Sequence, residues 1–348
     1  MTRSARPVPR ADARGEYDYL PTMSPRQYQE FMARRHRDMA ELLDLSDAAV
    51  EAARPWLRSA AEFGDDPLSG RGGSYRDAQR DHCARARGIM TLLSLSGHTT
   101  GRAVVVDVLG GNGTVTQVWR RRAGAHAARL RILTCDVSAA MVTAALADGL
   151  PALRQPAQRM LLRDRCADLV LFAYGTHHLS ARDRPRALAE AWRVLRPGGS
   201  VVVHDFPHGS AAARWFAEVV HPYSKAGHDH AHFDGAEMRT LLATTGFTAV
   251  GTRLIYDPFE LSGPSPEQAR SRLARHLRLM YGLHPPGAPD DSAADEWVAE
   301  RMARYFRLDS AGPAAVTELS VRAAGGAHTA ELPRAALVAV GRKPDGAG

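Results

Sequence analysis

The chain has 348 residues, 45% of them hydrophobic, with 45 Lys and Arg against 38 Asp and Glu and a formal net charge of +7. That length suits one large domain with additions, and the apolar share can supply a sizeable core. No run approaches the roughly 18 apolar residues of a membrane span, and Cys83, Cys135 and Cys166 are too few and too scattered for a disulfide framework or a C-x-x-C metal site.

The first residues are basic and polar with no apolar run behind them, so no secretory signal is expected and the thiols fit a reduced, cytoplasmic setting. The positive balance comes from Arg. An arginine-rich composition explains it more simply than an anionic partner does, and no nucleic-acid motif is present. Residues 1–22 are an Arg- and Pro-rich arm, interrupted by Tyr17 and Tyr19. Helical patterns run from Pro25 to about Leu43 and from Asp47 to Ala61, with Ser24 and Ser46 as cap candidates and Pro25 suited to a first helical position. Residues 67–74 read as a loop, and Arg76 to Leu95 as another helix. Residues 1–97 are therefore expected to form an arm and a helical cover. Arg34, Arg35 and Arg37 fit a solvated helix face.

From 98 to 257 strands and helices alternate. Strands are predicted at 103–108, 130–135, 168–174, 200–205 and 247–256, with helices at 115–122, 138–147, 183–194, 211–219 and 235–245. This alternation predicts an α/β fold with a mostly parallel sheet covered on both faces. Ligands in such sheets bind at the carboxyl ends of the strands. The most informative run is Val104-Val105-Val106-Asp107-Val108-Leu109-Gly110-Gly111-Asn112-Gly113-Thr114: a buried strand closed by an acid, a glycine turn, then a helix start with free N–H groups. About twenty residues on, a second strand ends in Asp136, placed to accept hydrogen bonds from both hydroxyls of a ribose. The turn lacks the G-x-G-x-x-G of a pyrophosphate site.

At these residues the chain resembles the class I S-adenosylmethionine (SAM)-dependent methyltransferases. Their first motif, D-x-G-x-G-x-G, stands here as Asp107 to Gly113 with Leu109 in place of the first glycine. Asp168 to Tyr174, followed by Gly175-Thr176-His177-His178-Leu179, matches a second motif. Leu195-Arg196-Pro197-Gly198-Gly199 with the strand Ser200 to Asp205 matches a third. The resemblance covers roughly residues 100 to 257. It implies a Rossmann-like sheet with an antiparallel last strand. It also implies SAM held by Asp107, Gly110, Gly111, Gly113 and Asp136, with Gln158 against the adenine where relatives carry an acid. Tyr174, His177 and His178 fall where relatives line the methyl-transfer site, and Tyr17 and Tyr19 where some relatives fold an arm over the cofactor.

Between the sixth strand and the best candidate for the seventh, Ala335 to Gly341, lies a long insertion. Helical patterns at Pro266 to Tyr281 and Asp291 to Leu308 predict a helical subdomain over 258–334, either a substrate lid or a dimerisation and padding element. Residues 335–348 are then the last core strand and tail.

His177, His178, Tyr174 and His208 are the catalytic candidates, because imidazole titrates near neutral pH and methyl transfer often needs a proton removed. His204, Asp205 and His208 offer a base and orienter, or a substrate rim. His228, His230 and His232, with Asp229 and Asp234 nearby, are read as a polar loop leading into a helix capped by Asp234; a divalent metal is the alternative. The expected function is SAM-dependent O- or C-methylation of a small, specialised-metabolite acceptor, with a carboxylate or prenyl diphosphate as anionic options. A non-methylating SAM-binding cyclase and a cofactor-binding partner subunit stay open. The expected partners are a small molecule and a second copy in a homodimer, with no nucleic acid and no membrane.

Overall fold

The structure, a computed structural model, describes residues 20, 23–57, 72–225, 227–309 and 315–346. Tyr17, Tyr19 and most of the 67–74 loop lie outside them. The strands are β1 (Ala103–Asp107), β2 (Leu130–Asp136), β3 (Ala152–Arg154), β4 (Ala167–Phe172), β5 (Leu195–Asp205), β6 (Thr248–Tyr256), β7 (Phe259–Gly263), β8 (Ser320–Ala324), β9 (Ala327–Leu332) and β10 (Ala335–Arg342). Seven of them form one sheet in the order β3-β2-β1-β4-β5-β10-β6. It is the mostly parallel, Rossmann-like α/β fold that the alternation predicts. β1 sits centrally, with Val105 opposite both Ile132 of β2 and Leu169 of β4. All five of its residues are buried, as a strand covered on both faces requires.

The period of two in β1 divides the core. Val104 and Val106 pack with Tyr28, Met32 and Leu43 of the N-terminal cover. Val105 packs on the other face with Ile89, Leu92 and Val118 and with Leu273, Leu277 and Val298 of the insertion. Each fully buried Val or Leu side chain contributes roughly 1.5–3 kcal/mol, so both additions are fastened to the sheet.

β10 runs antiparallel between β5 and β6, pairing Val338 with His204 on one side and Arg253 on the other. The seventh strand is thus where the sequence places it. β3 has no counterpart in the sequence reading. At three residues, pairing only Thr134–Asp136 with Ala152–Arg154, it is too short to show a period.

Helix Pro25–Arg35 starts on Ser24 with a reciprocal Ser24–Gln27 capping box. It stops eight residues before the expected Leu43, because His36 leaves the helical region (φ −143°) before Arg37–Ala40 resumes. The helix expected from Arg76 to Leu95 is likewise interrupted: Gly72–Gln79, a 3-10 turn at His82–Arg85, then Ala86–Leu95. That break turns Arg85 inward, where it is buried.

The insertion is not purely helical. Helices Pro266–Tyr281, capped by Ser265 and by Gly282 at φ 58°, and Asp291–Tyr305, capped by Asp290, are present. They share the segment with a three-stranded antiparallel sheet, β7-β9-β8. Gly325 and Gly326, both at positive φ, join β8 to β9 as a two-residue hairpin turn. β8 is largely exposed, so it lacks the apolar alternation that reveals a strand.

Candidate active site

A cavity of about 860 Å3, its mouth included, opens at the carboxyl ends of β1, β2, β4 and β5. At one end lie Leu109, Gly111, Asp136, Val137 and Met141; at the other Tyr174, His177, His178, Phe206 and His228. Tyr75 and Arg85 close it from the N-terminal cover, and Met280, Tyr281 and Arg334 from the insertion and its exit. Met280 and Tyr281, at the end of helix Pro266–Tyr281, place part of the insertion on the cavity wall.

The first end is built by the glycine turn. Gly111 and Gly113 adopt φ 56° and 91°, the left-handed region that favours glycine. A Cβ on Gly113 would also stand 2.3 Å from Leu150 Cδ1. Asp136 anchors the turn: Oδ2 accepts from Gly111 N at 2.9 Å, and Oδ1 accepts from Ser138 N at 2.8 Å. Desolvation pushes the Asp136 carboxyl up to about 6 against these backbone hydrogen bonds. Asp107 lies beneath the turn, 1% exposed, and neither carboxyl oxygen has a hydrogen-bond partner among the described residues. Burial first, then the neighbouring Asp136, pushes it up to about 7. Gln158 is half-buried and is not among the residues lining the cavity.

The second end is organised by Asp205 and Asp257, both fully buried. Tyr174 follows β4 at φ 60°, an uncommon conformation for a non-glycine residue and one that recurs at functional sites. It turns the chain so that His177 N donates to Asp205 Oδ2 at 2.6 Å and Thr176 Oγ1 donates to His204 O at 2.9 Å. The His177 ring meets the same carboxylate, Nδ1 lying 2.9 Å from Oδ2, and His232 Nδ1 lies 3.2 Å from Oδ1. A carboxylate only accepts, so both Nδ1 atoms carry protons and each Nε2 of a neutral ring keeps its lone pair. Burial would raise Asp205, but the charge and hydrogen bonds of His177 and His232 outweigh it and hold the carboxyl well below the usual range. Asp257 is lowered in the same way: burial opposes, while Arg334, at 2.6 Å, and His204 prevail. The Tyr174 phenol donates to Asp257 Oδ1 at 2.9 Å, and burial with Asp257 raises it, so it stays protonated.

The sequence-predicted residues therefore divide. Gly111, Asp136, Tyr174, His177 and His178 converge on the cavity; Asp107, Gly110 and Gly113 support its turn from behind. His208, expected to be catalytic, is exposed and is not among the lining residues; its backbone N–H donates to Phe233 O. The run His228, His230, His232 is not one ligating face either. His228 groups with His177 and His178, whereas His232 groups with His177 and Asp205. The predicted cap is real, with Asp234 accepting from Glu237 N at 2.7 Å. Sequence reasoning missed Arg85, Arg334 and Asp257, which lie far from the motifs; a buried charge at a strand end was the only available signal.

Residues 106–203 match the family model described as a methyltransferase domain. Over 120 residues the chain is 32% identical to the ubiquinone/menaquinone biosynthesis C-methyltransferase UbiE of Laribacter hongkongensis, covering 33% of this chain and 47% of that protein. Over 108 residues it is 31% identical to UbiE of Neisseria meningitidis, covering 29% and 42%. Residues 106–203 thus carry a methyltransferase domain. The chain spans under half the length of these curated relatives. Among solved structures, the phosphoethanolamine N-methyltransferase 2 of Haemonchus contortus in complex with SAM aligns at TM-score 0.49 and 13% identity, covering 82% of this chain and 61% of that one. The matched residues run from β1 to β5, while β6, β10 and the wall contributed by Met280, Tyr281 and Arg334 lie beyond them. Among the described residues no helix is long and apolar enough to cross a membrane.

Proposed function

We propose that the protein transfers a methyl group from SAM to oxygen or carbon of a small organic acceptor bearing an acidic oxygen, in specialised metabolism. The carrying observation is that one cavity joins an adenosyl-type end, at Gly111 and Asp136, to an end lined by histidine, tyrosine and arginine. SAM would supply an electrophilic methyl on a sulfonium. Asp136 would hold the ribose hydroxyls, and the buried, partnerless Asp107 fits the cationic side of such a ligand. Leu109 narrows the space beside Gly175: a Cβ on that glycine would lie 3.7 Å from the leucine side chain.

At the far end Arg85 lines the wall beside the Arg334–Asp257 pair, which favours an anionic or acidic acceptor. Asp205 fixes the His177 tautomer and leaves Nε2 to take a proton or bind the acceptor. The UbiE relatives are named as C-methyltransferases, which supports carbon as one methyl destination. Calorimetric titration with S-adenosylhomocysteine, followed by incubation with SAM and a panel of phenols, enols and carboxylates, tests the reading. Release of S-adenosylhomocysteine with a methylated product by mass spectrometry is the expected result. Binding without release would replace transfer with a non-methylating role, and no binding would end the proposal. His178→Ala should slow turnover at least tenfold and leave the S-adenosylhomocysteine affinity unchanged.

A further inference from the structure

Five histidines crowd the acceptor end from two separate segments. His177 and His178 come from the turn after β4; His228, His230 and His232 come from the extended stretch held beside β5 by the Pro207–Phe233 bridge. Ring centroids of His177 lie 4.5 Å from His178, 4.9 Å from His228 and 5.1 Å from His232.

One ring nitrogen from each of His177, His178 and His228 lies within 4.8 Å of the others, and all three residues line the cavity. Asp205 behind His177 gives the carboxylate–histidine arrangement that orients a metal-ligating imidazole, with Nδ1 on the carboxylate and Nε2 left for the metal. The second group, His177, Asp205 and His232, is already tied by hydrogen bonds at 2.9 and 3.2 Å and is the support rather than the site. Phe216 stacks on His228 at 4.3 Å, where helix Ala211–Trp215 widens into the π-helical turn Phe216–Val220. Such bulges are frequent at functional sites.

We propose that His177, His178 and His228 bind one divalent transition-metal ion, of zinc type, whose open position takes an oxygen of the methyl acceptor. Three nitrogen donors favour zinc, iron(II), cobalt, nickel or copper over magnesium or calcium. Zn–N bonds of about 2.0–2.1 Å put tetrahedral nitrogens roughly 3.4 Å apart, inside the 4.8 Å within which these three nitrogens lie in the ion-free fold. The inference rests on the methyltransferase reading and narrows its acceptor to phenols, enols or carboxylates able to ligate a metal.

The full chain, purified without a histidine tag and stripped with chelator, should bind one Zn2+ per chain by calorimetry. It should also develop the visible absorption of nitrogen-ligated Co2+ on titration with Co2+ alone. His178→Ala and His228→Ala should each weaken the ion at least tenfold, while the exposed His126→Ala should not. Asp205→Asn should weaken it 10- to 100-fold, with folding verified by circular dichroism. No stoichiometric binding, or binding that survives the His178→Ala/His228→Ala double variant, overturns the site. S-adenosylhomocysteine affinity, read on the same stripped samples, separates the two readings. If that affinity persists without metal binding, the metal fails, the methyltransferase reading stands, and His177 with Asp205 is left as a base and its orienter. Metal uptake with no nucleoside binding is the opposite failure.

Discussion

At the tips of β1 and β2, Asp107 and Asp136 are pushed up to about 7 and about 6. At the tips of β5 and β6, Asp205 and Asp257 are held below the usual carboxylate range. Burial acts the same way on all four. What differs is company: the first pair faces backbone N–H groups and another acid, with Arg85 too weak an influence on Asp107 to outweigh burial, whereas the second faces His177, His232, His204 and Arg334. The cofactor end thus awaits a cation, and the acceptor end has its charge neutralised within the fold. On the methyltransferase reading proposed above, one pocket uses one residue type for opposite purposes at its two ends.

The sharpest way to break this contrast is to remove the internal cation. Arg334→Leu strands the Asp257 carboxylate, and urea denaturation at neutral pH should show a loss of about 3–5 kcal/mol; a loss below about 1 kcal/mol would mean that Tyr174 and His204 suffice. The complementary change at the cofactor end is milder for the fold and harsher for the ligand. Asp136→Ala should weaken S-adenosylhomocysteine roughly 10- to 100-fold by calorimetry, with the circular dichroism spectrum retained.

The two ends also predict opposite pH dependences. Asp107 holds its proton longer folded than unfolded. Its contribution therefore falls as pH rises from about 4 to about 7, by an amount on the order of a few kcal/mol in the ligand-free protein. Asp205 and Asp257 contribute stability above about pH 4 that is lost as pH falls through their depressed folded values. Melting temperature followed against pH should slope downward above pH 4 in the wild type and flatten in Asp107→Asn. An unchanged slope in that variant would remove Asp107 from the account. The smallest effect is expected at His208→Ala, which should leave turnover within about twofold and so mark the edge of the site.

The cofactor end was legible in the sequence because its chemistry is local. Strand, acid, glycine turn and helix start fall within eleven residues, Val104 to Thr114, and backbone geometry dictates each residue type. The acceptor end was only half legible. His177 and His178 follow a strand and could be placed, but His208 lies three residues past the end of β5 and the chain carries it outward. Arg85 enters through a helix break with no glycine or proline to announce it. Arg334 and Asp257 meet across 77 residues of sequence. The grouping of the histidines depends on the bridge that seats Phe233 against Pro207 just past β5, which no local period encodes.

The placement of β10 has a consequence for how the molecule assembles. β6 pairs only with β10 among the described strands, and β10 is made after the whole insertion. As the polypeptide leaves the ribosome, β6 therefore waits as an unmatched ribbon beside an open slot on β5. The final zipper into that slot brings Arg334 to Asp257 and closes the acceptor wall. Nascent intermediates should consequently acquire nucleoside affinity before they acquire a finished second chamber. Slow closure of this long-range pairing is the step at which misassembly would concentrate.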